Sequence, residues 1–174
     1  MEKNIDSIQE QIEQSNEDND QMLTFVLGKE EYGVDILRVQ EIKGWERTTP
    51  IPNTPDYVMG VINLRGAIVP TIDLRVRFKL PEVTYDETTV VIIVRSEDAV
   101  GTQKIIGLVV DGVSDVYSVN NDELQASPEM SGTVQSEYVS GLATINEKLI
   151  IVLRVDPLIN EGIIDSIKKA INID

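Results

Sequence analysis

The 174-residue sequence contains no cysteine and no histidine. Without cysteine the chain has no disulfide bond and no thiolate nucleophile. Without histidine it lacks the side chain that proteins use most often as a general base and as a metal ligand. Neither a phosphate-binding P-loop nor a G-x-S-x-G nucleophile motif occurs. We therefore expect a protein that is not an enzyme and that holds no metal or cofactor.

Positive charge is scarce as well, with 15 lysines and arginines against 30 aspartates and glutamates and a formal net charge of -15. Nucleic-acid binding requires an extended basic surface, so a nucleic-acid partner is not expected. No apolar run approaches the roughly 18 residues that span a bilayer. No apolar leader follows a basic start, so the expected location is cytoplasmic, without membrane insertion.

Carboxylates alone can run a hydrolase when two of them stand close together. The candidates Asp35, Asp73 and Asp111 lie at the predicted ends of strands and share no common spacing. Aspartate is common at such turns because its side chain bonds to the nearby main chain. A structural role at turns is therefore the simpler interpretation of these three residues.

Composition divides the chain into three regions. Residues 1–21 are polar and acidic, with Ile5, Ile8 and Ile12 at a loose helical spacing. Three isoleucines bury too little area to order a segment by themselves. This predicts a disordered acidic tail, with a partner-docking helix as the minor alternative. A folded domain is predicted over 22–160, followed by a C-terminal helix within 161–174, where isoleucines share one face over 162–172.

The segment 60–79, GVINLRGAIVPTIDLRVRFK, predicts a β-hairpin because two β-branched runs flank Arg65-Gly66. Arginine resists positive φ, so we expect a turn longer than two residues, with Gly66 in the left-handed conformation. Arg65 stands at the tip, in water. A cationic edge that suits a carboxylate-bearing partner is predicted from the cluster Arg65, Arg75, Arg77 and Lys79.

Two further local patterns lead into this hairpin. Residues 35–42, DILRVQEI, fit a strand with one bulge or a strand joined to a helical turn. Thr54 and Pro55 have the residue types of a helix start, and Gly60 can take a left-handed exit. A single helical turn over 54–60 is therefore predicted to deliver the chain into the hairpin.

The two halves of the sequence resemble each other. YGVDILRVQEI at 32–42 matches IGLVVDGVSDV at 106–116, and YVMGV at 57–61 matches YVSGL at 138–142. Each match follows an apolar strand, at 23–27 and 90–94. Short strands joined by turns favour small barrels over sandwiches. The duplication predicts two similar five-stranded units, the first mainly 22–80 and the second mainly 88–156, with room for an exchange of strands.

Four segments resemble the CheW family of bacterial chemotaxis coupling proteins: LTFVLGKEEYGVDILRVQEI, TPDYVMGVINLRGAIVPTIDLRVRF, GLVVDGVSDV and EYVSGL. N-L-R-G followed by P-x-I-D-L-R is the most specific part of this resemblance. It implies a mostly-β fold of two packed SH3-like five-stranded barrels with a C-terminal helix. It also implies a non-catalytic adaptor between chemoreceptors (methyl-accepting chemotaxis proteins) and the histidine kinase CheA.

The resemblance also implies where partners bind. The family's receptor-facing positions match this chain at Val39, Glu41, Gly60 and Arg65, which would contact the cytoplasmic signalling tip of the receptor. The loop 120–137 resembles a secondary kinase-facing surface, which assigns Met130 to contact with the regulatory domain of CheA. The adaptor would be cytoplasmic and recruited to membrane-associated receptor arrays.

A different class of function is a small-molecule or other regulatory binding module that uses the groove between the barrels. The absence of histidine and cysteine and the low aromatic content, 5% of the residues, disfavour this alternative.

Overall fold

The computed structural model describes residues 5–14, 20–97, 100–101, 103–119, 123–125 and 138–160. These residues contain one short helix followed by ten strands. A 3-10 turn follows the second strand, and two further short helices follow the fifth and the tenth strands. In chain order these elements are α1 Ile5–Glu13, β1 Gln21–Leu27, β2 Glu30–Asp35, the 3-10 turn Ile36–Arg38, β3 Val39–Gly44, β4 Val58–Leu64, β5 Ala67–Asp73, α2 Leu74–Arg77, β6 Val90–Glu97, β7 Gln103–Val110, β8 Gly112–Ser118, β9 Val139–Ile145, β10 Lys148–Leu153 and α3 Val155–Asn160.

The strands form two five-stranded sheets, which confirms the prediction of a mostly-β fold with two five-stranded units. The first sheet has the order β8-β1-β2-β10-β9, and the second has the order β3-β6-β7-β5-β4. Neighbours pair antiparallel except for β2 with β10 and β5 with β7, which are parallel. Each sheet thus joins two strands from one half of the chain to three from the other. The predicted boundary between the two units, at residues 80–88, therefore does not separate the sheets, because strands from both sides of it pair within each sheet.

The duplication also includes an isolated β-bridge to one strand of each sheet. An isolated antiparallel bridge joins Thr49 to Val61 beside β4, and the matching bridge joins Gln125 to Leu142 beside β9. In each case a glycine precedes the bridged residue, Gly60 in β4 and Gly141 in β9. The two matched segments of the sequence therefore form matching structures in the two sheets.

The N-terminal segment differs from the predicted disordered tail. Residues 5–13 form α1, which contacts both β3 and β8. Ile8 is fully buried, Ile12 is 6% exposed, and both belong to the main hydrophobic core. The side chain of Gln9 accepts a hydrogen bond from the Ile42 N–H of β3 at 2.9 Å. The isoleucines cannot order the segment alone, but the folded strands offer them an apolar surface.

Replacing Ile8 with alanine should therefore lower the free energy of unfolding by about 1–2 kcal/mol. This loss of stability is smaller than the usual cost of truncating a buried isoleucine. The reason is that α1 can detach from the rest of the fold, which limits how much stability the substitution can remove. Urea unfolding measures the change. The control Glu10→Ala alters an exposed residue of the same helix and should stay within about 0.5 kcal/mol of wild type. Equal stability of the two variants would mean that α1 contributes nothing to the fold.

At the other end of the chain, α3 covers Val155–Asn160, and Val155, Leu158 and Ile159 are buried in the main core. The helix predicted over 162–172 lies outside the described residues. Within the described part of the chain, no helix is long and apolar enough to cross a membrane.

Candidate partner-binding site

The β4–β5 hairpin has a two-residue turn, so the prediction of a longer turn is wrong. Leu64 pairs directly with Ala67, and the two residues between them both have positive φ, +50° for Arg65 and +91° for Gly66. Such a turn matches the natural twist of a hairpin. The Asn63 side chain accepts a hydrogen bond from the Gly66 N–H at 2.8 Å and supports it. The left-handed conformation of Arg65 is uncommon for a residue with a side chain.

Arg65 reaches from this turn to Glu41 on β3. Its Nη2 lies 2.5 Å from Oε2 of Glu41, and its Nη1 lies 3.2 Å from Oε1, which makes a two-pronged ion pair. The side chain of Arg65 is 68% exposed, whereas that of Glu41 is only 18% exposed. The hydrogen bond to Glu41 raises the pKa of Arg65 further above its ordinary value. The pair therefore links β3, at one end of the second sheet's strand order, to the turn that follows β4, the strand at the other end.

Glu41 follows a bulge in β3. The pairing with β6 shifts register between Val39 and Glu41, and the 3-10 turn Ile36–Arg38 comes directly before the strand. Both forms proposed for residues 35–42, a bulged strand and a strand joined to a helical turn, therefore occur together. The bulge leaves Glu41 partly exposed beside Arg65, while Val39 is 2% exposed and packs in the main core.

The turn predicted over 54–60 is present but shorter: residues 56–57 form a turn in which the Val58 N–H donates to the Pro55 carbonyl at 3.0 Å. It ends where β4 begins, at Val58, and Gly60 lies within that strand. Gly60 has φ +132° at a register shift in the β4–β5 pairing. A Cβ there would overlap the carbonyl oxygen of Thr49 and lie 2.7 Å from its carbonyl carbon. Gly60 is thus required by the close approach of the segment around Thr49.

The four residues assigned to receptor contact therefore fall into two pairs. Glu41 and Arg65 meet at the surface, whereas the side chain of Val39 and the whole of Gly60 are buried. The buried pair can act only by holding β3 and β4 in place. Ile68 is 59% exposed on β5 near the hairpin tip. The tip therefore offers an aliphatic side chain as well as a guanidinium group.

The cationic edge predicted from four basic residues does not form. Arg75 is fully buried, and Arg77 lies over two aromatic rings, 4.9 Å from the centre of Tyr57 and 5.4 Å from that of Tyr138. Arg77 also donates to the Tyr138 hydroxyl at 2.6 Å. A guanidinium group is weakly hydrated and stacks well on aromatic faces, which explains how it can be covered in this way. Lys79 and Arg65 are exposed.

Arg75 instead organises a buried polar network. Its Nη2 bonds to Oδ2 of Asp73 at 2.9 Å, and its Nη1 bonds to Oδ1 of Asp111 at 2.8 Å and to the carbonyl of Thr84. The side chains of Arg75 and Asp73 are both fully buried. Burial opposes the charge on Arg75, but hydrogen bonds to the two aspartates and their charges outweigh it and raise the pKa of Arg75. The network joins α2 to the β7–β8 turn, so it links the two sheets.

Two of the three aspartates judged to be scattered thus meet at one arginine. Asp111 also accepts a hydrogen bond from the Gly28 N–H at 2.7 Å, which fixes the β1–β2 turn. The third, Asp35, accepts from the Leu37 N–H and begins the 3-10 turn. Asp73 likewise accepts from the Arg75 N–H at the start of α2. Their roles are those of turn and cap residues, and Asp73 and Asp111 also neutralise Arg75.

An aromatic layer covers the network. Tyr85 donates a hydrogen bond to Asp73 at 2.7 Å, its ring lies 4.8 Å from the guanidinium carbon of Arg75, and Trp45 stacks on it at 4.6 Å. Burial and the hydrogen bond to Asp73 raise the pKa of Tyr85 to about 12. Tyr85 therefore remains a neutral hydrogen-bond donor at physiological pH.

This chain is similar to known proteins over most of its length. A CheW-like domain matches residues 21–162. The chain belongs to the CheW-like family. The chemotaxis protein CheW of Klebsiella aerogenes is 44% identical over 153 residues, which cover 86% of this chain and 89% of that protein. The chemotaxis protein CheW of Rhizobium meliloti is 34% identical over 138 residues, which cover 78% and 84%.

A solved CheW structure agrees with the fold. The crystal structure of the scaffolding protein TtCheW from Thermoanaerobacter tengcongensis matches with a TM-score of 0.72 and 32% sequence identity, covering 80% of this chain and 87% of that one. The family predicted from the four sequence segments is therefore confirmed. Like its CheW relatives, the chain is a coupling adaptor of chemotaxis.

Two further predictions concern other regions of this CheW-like chain: the contact of Met130 with the regulatory domain of CheA, and the alternative of a small-molecule site. Met130 lies outside the described residues, as does most of the loop 120–137. A cleft of ≈ 350 Å³ opens beside the ends of β1, β2 and β10. Arg38 and Asp156 in its lining already form an ion pair at 2.7 Å, so these charges neutralise each other. The strand residues that line the cleft all belong to the first sheet.

Proposed function

We propose that this chain is a non-catalytic scaffold that binds the cytoplasmic signalling tip of a chemoreceptor and the regulatory domain of CheA on separate surfaces. The receptor surface is the β4–β5 hairpin tip together with Glu41 of β3. The observation that carries the proposal is the ion pair between Glu41 and Arg65, which presents an exposed guanidinium group on a two-residue turn. By binding both partners, the chain is recruited to membrane-associated receptor arrays.

The hairpin tip has the features of a contact point on a protein surface. Arginine is enriched among the residues that dominate the binding energy of interfaces. Arg65 is exposed at the tip, and the exposed Ile68 lies near it on β5. The partly buried Glu41 holds the guanidinium group in a fixed direction, which lowers the entropy lost when a partner binds. Donors of Arg65 that do not face Glu41 remain available for a receptor carboxylate.

The proposal contains no catalytic step. Asp73 and Asp111 both bond Arg75, which lies between them as a counter-ion. Among the described residues, no group of three or more His, Cys, Asp or Glu side chains is placed to hold a metal ion. The polar network therefore serves to join the sheets, and binding alone performs the function.

Replacing Arg65 with alanine should weaken binding to a chemoreceptor cytoplasmic fragment by roughly tenfold to a hundredfold, because the forked donor is lost. Arg65→Lys should recover only part of the affinity, since a point charge cannot reproduce two-pronged pairing. Binding to the CheA regulatory domain should not change. Calorimetric titration of each variant against each partner measures both affinities.

The matched control is Lys79→Ala, because Lys79 is also exposed, cationic and at positive φ, +58°. It should bind the receptor fragment as the wild type does. Glu41→Lys should weaken receptor binding through repulsion of Arg65 and loss of its fixed direction. Wild-type receptor affinity in Arg65→Ala, or equal losses for both partners, would refute the receptor assignment.

A further inference from the structure

The helix α1 lies across the boundary between the two sheets. It contacts β3, the edge strand of the second sheet, and β8, the edge strand of the first. We call this boundary, defined by β3 and β8 beneath α1, the seam. Ile8 and Ile12 point into the core at the seam, and Ile5 packs beside them partly buried. The seam is therefore an apolar groove that accepts one short amphipathic helix with isoleucines three and four residues apart.

The length of α1 and its link to the chain would allow it to leave the seam and return. A nine-residue helix is too short to be stable in water by itself, so its order depends on the seam. Much of its remaining surface, including Ser7, Glu10 and Glu13, is exposed. Seven polar residues, 14–20, join it to β1. A short tether keeps a released helix at high local concentration and makes its return rapid.

The position of α1 couples it to the receptor surface. Gln9 bonds the Ile42 N–H, and Ile42 directly follows Glu41, the partner of Arg65. The same short stretch of β3 thus contacts α1 and carries half of the candidate receptor site. A receptor helix whose carboxylate reaches Arg65 would lie along β3 and compete with α1 for the seam.

We propose that α1 is a displaceable strap over a helix-binding groove, and that an amphipathic helix of the receptor tip takes its place. This inference rests on the proposed receptor role of Glu41 and Arg65. The incoming helix carries aliphatic residues spaced like Ile5, Ile8 and Ile12. Receptor affinity is then reduced by the fraction of time that α1 covers the groove.

Hydrogen exchange on the full wild-type chain tests the displacement directly. Saturation with a chemoreceptor cytoplasmic fragment should increase the exchange rates of the α1 amides by at least about tenfold, because the helix depends on the seam for its order. Amides of β3 should exchange more slowly in the same complex. Unchanged or slower exchange in α1 would overturn the proposal.

A full-chain variant tests the competition. In Ile8→Asp/Ile12→Asp the strap cannot stay in the groove, and affinity for the receptor fragment should rise about tenfold if α1 covers the groove about nine-tenths of the time. Ser7→Asp/Gln14→Asp adds the same two charges at exposed positions of the segment and should bind as the wild type does. A folded Ile8→Asp/Ile12→Asp variant with unchanged or weaker affinity would contradict the strap.

A labelled synthetic peptide of residues 1–14 separates this inference from the receptor proposal. The peptide should bind the Ile8→Asp/Ile12→Asp chain and fail to bind the wild type, whose groove is occupied. Absence of binding to the variant would refute the groove whatever the receptor does. Binding of the peptide together with unaltered receptor affinity in Arg65→Ala would refute the receptor proposal and its receptor-helix step alone, leaving the groove intact.

Discussion

Arg75→Met should lower the free energy of unfolding by about 3–5 kcal/mol, which is the usual cost of removing one partner from a buried ion pair. Arg75 and Asp73 are both fully buried, so the variant leaves the Asp73 carboxylate without its counter-ion. Asp111 loses the same partner at the β7–β8 turn. Urea unfolding followed by circular dichroism provides the measurement.

Two further variants isolate the cause of that loss. Arg38→Met also breaks an arginine–aspartate pair, with Asp156, but both side chains are about one-third exposed. It should cost about 0–1 kcal/mol, as expected for an exposed pair. Adding Asp73→Asn to Arg75→Met should recover part of the stability, because the uncompensated charge disappears while a cap for α2 remains. Equal losses for Arg38→Met and Arg75→Met would show that burial of the network is unimportant.

Gly60→Ala should cost about 3–5 kcal/mol. Backbone strain at positive φ accounts for about 1–3 kcal/mol. The two main-chain hydrogen bonds that join Thr49 and Val61 contribute about 1 kcal/mol each, and a Cβ that overlaps the Thr49 carbonyl would break them. Denaturant unfolding measures the total.

Two glycines serve as controls for the separate contributions. Gly66 also has positive φ, but a Cβ there meets no atom within 4 Å, so Gly66→Ala should cost only the strain, about 1–2 kcal/mol. A Cβ at Gly44 likewise meets nothing within 4 Å, and this residue has no positive φ. Gly44→Ala should stay within about 0.5 kcal/mol of wild type. A Gly60→Ala variant no less stable than Gly66→Ala would mean that the segment around Thr49 moves without cost.

The sequence predicted those features that depend on neighbouring residues. The hairpin around Arg65-Gly66, the bulge and turn in residues 35–42 and the duplicated segments all follow from local patterns of hydrophobic and turn residues. The predicted turn length was wrong because two contacts accompany the arginine at positive φ: the Gly66 N–H donates to the Asn63 side chain, and Arg65 forms an ion pair with Glu41. Neither contact can be read from the turn residues alone.

Features that depend on distant partners were missed. Arg75 was assigned to a basic surface because it clusters in the sequence with other basic residues and arginine is usually exposed. Its burial depends on Asp111, which lies 36 residues away. The packing of α1 on the fold was missed because its isoleucines find their apolar partners in β3 and β8, far along the chain. A helix in this segment was only the minor alternative to a disordered tail. The exposure of Ile68 likewise depends on which face of β5 the rest of the fold covers.

The exchange of strands means that neither half of this chain can build a complete sheet by itself. Each half supplies two strands to one sheet and three to the other. A chain of half this length with the same pairings would complete its sheets only by joining a second copy, as a domain-swapped dimer with two-fold symmetry. The single chain therefore has the architecture of a fused, intertwined pair. Its two sheets should unfold together in one cooperative transition, and cutting the connection between β5 and β6 should leave two fragments that remain associated.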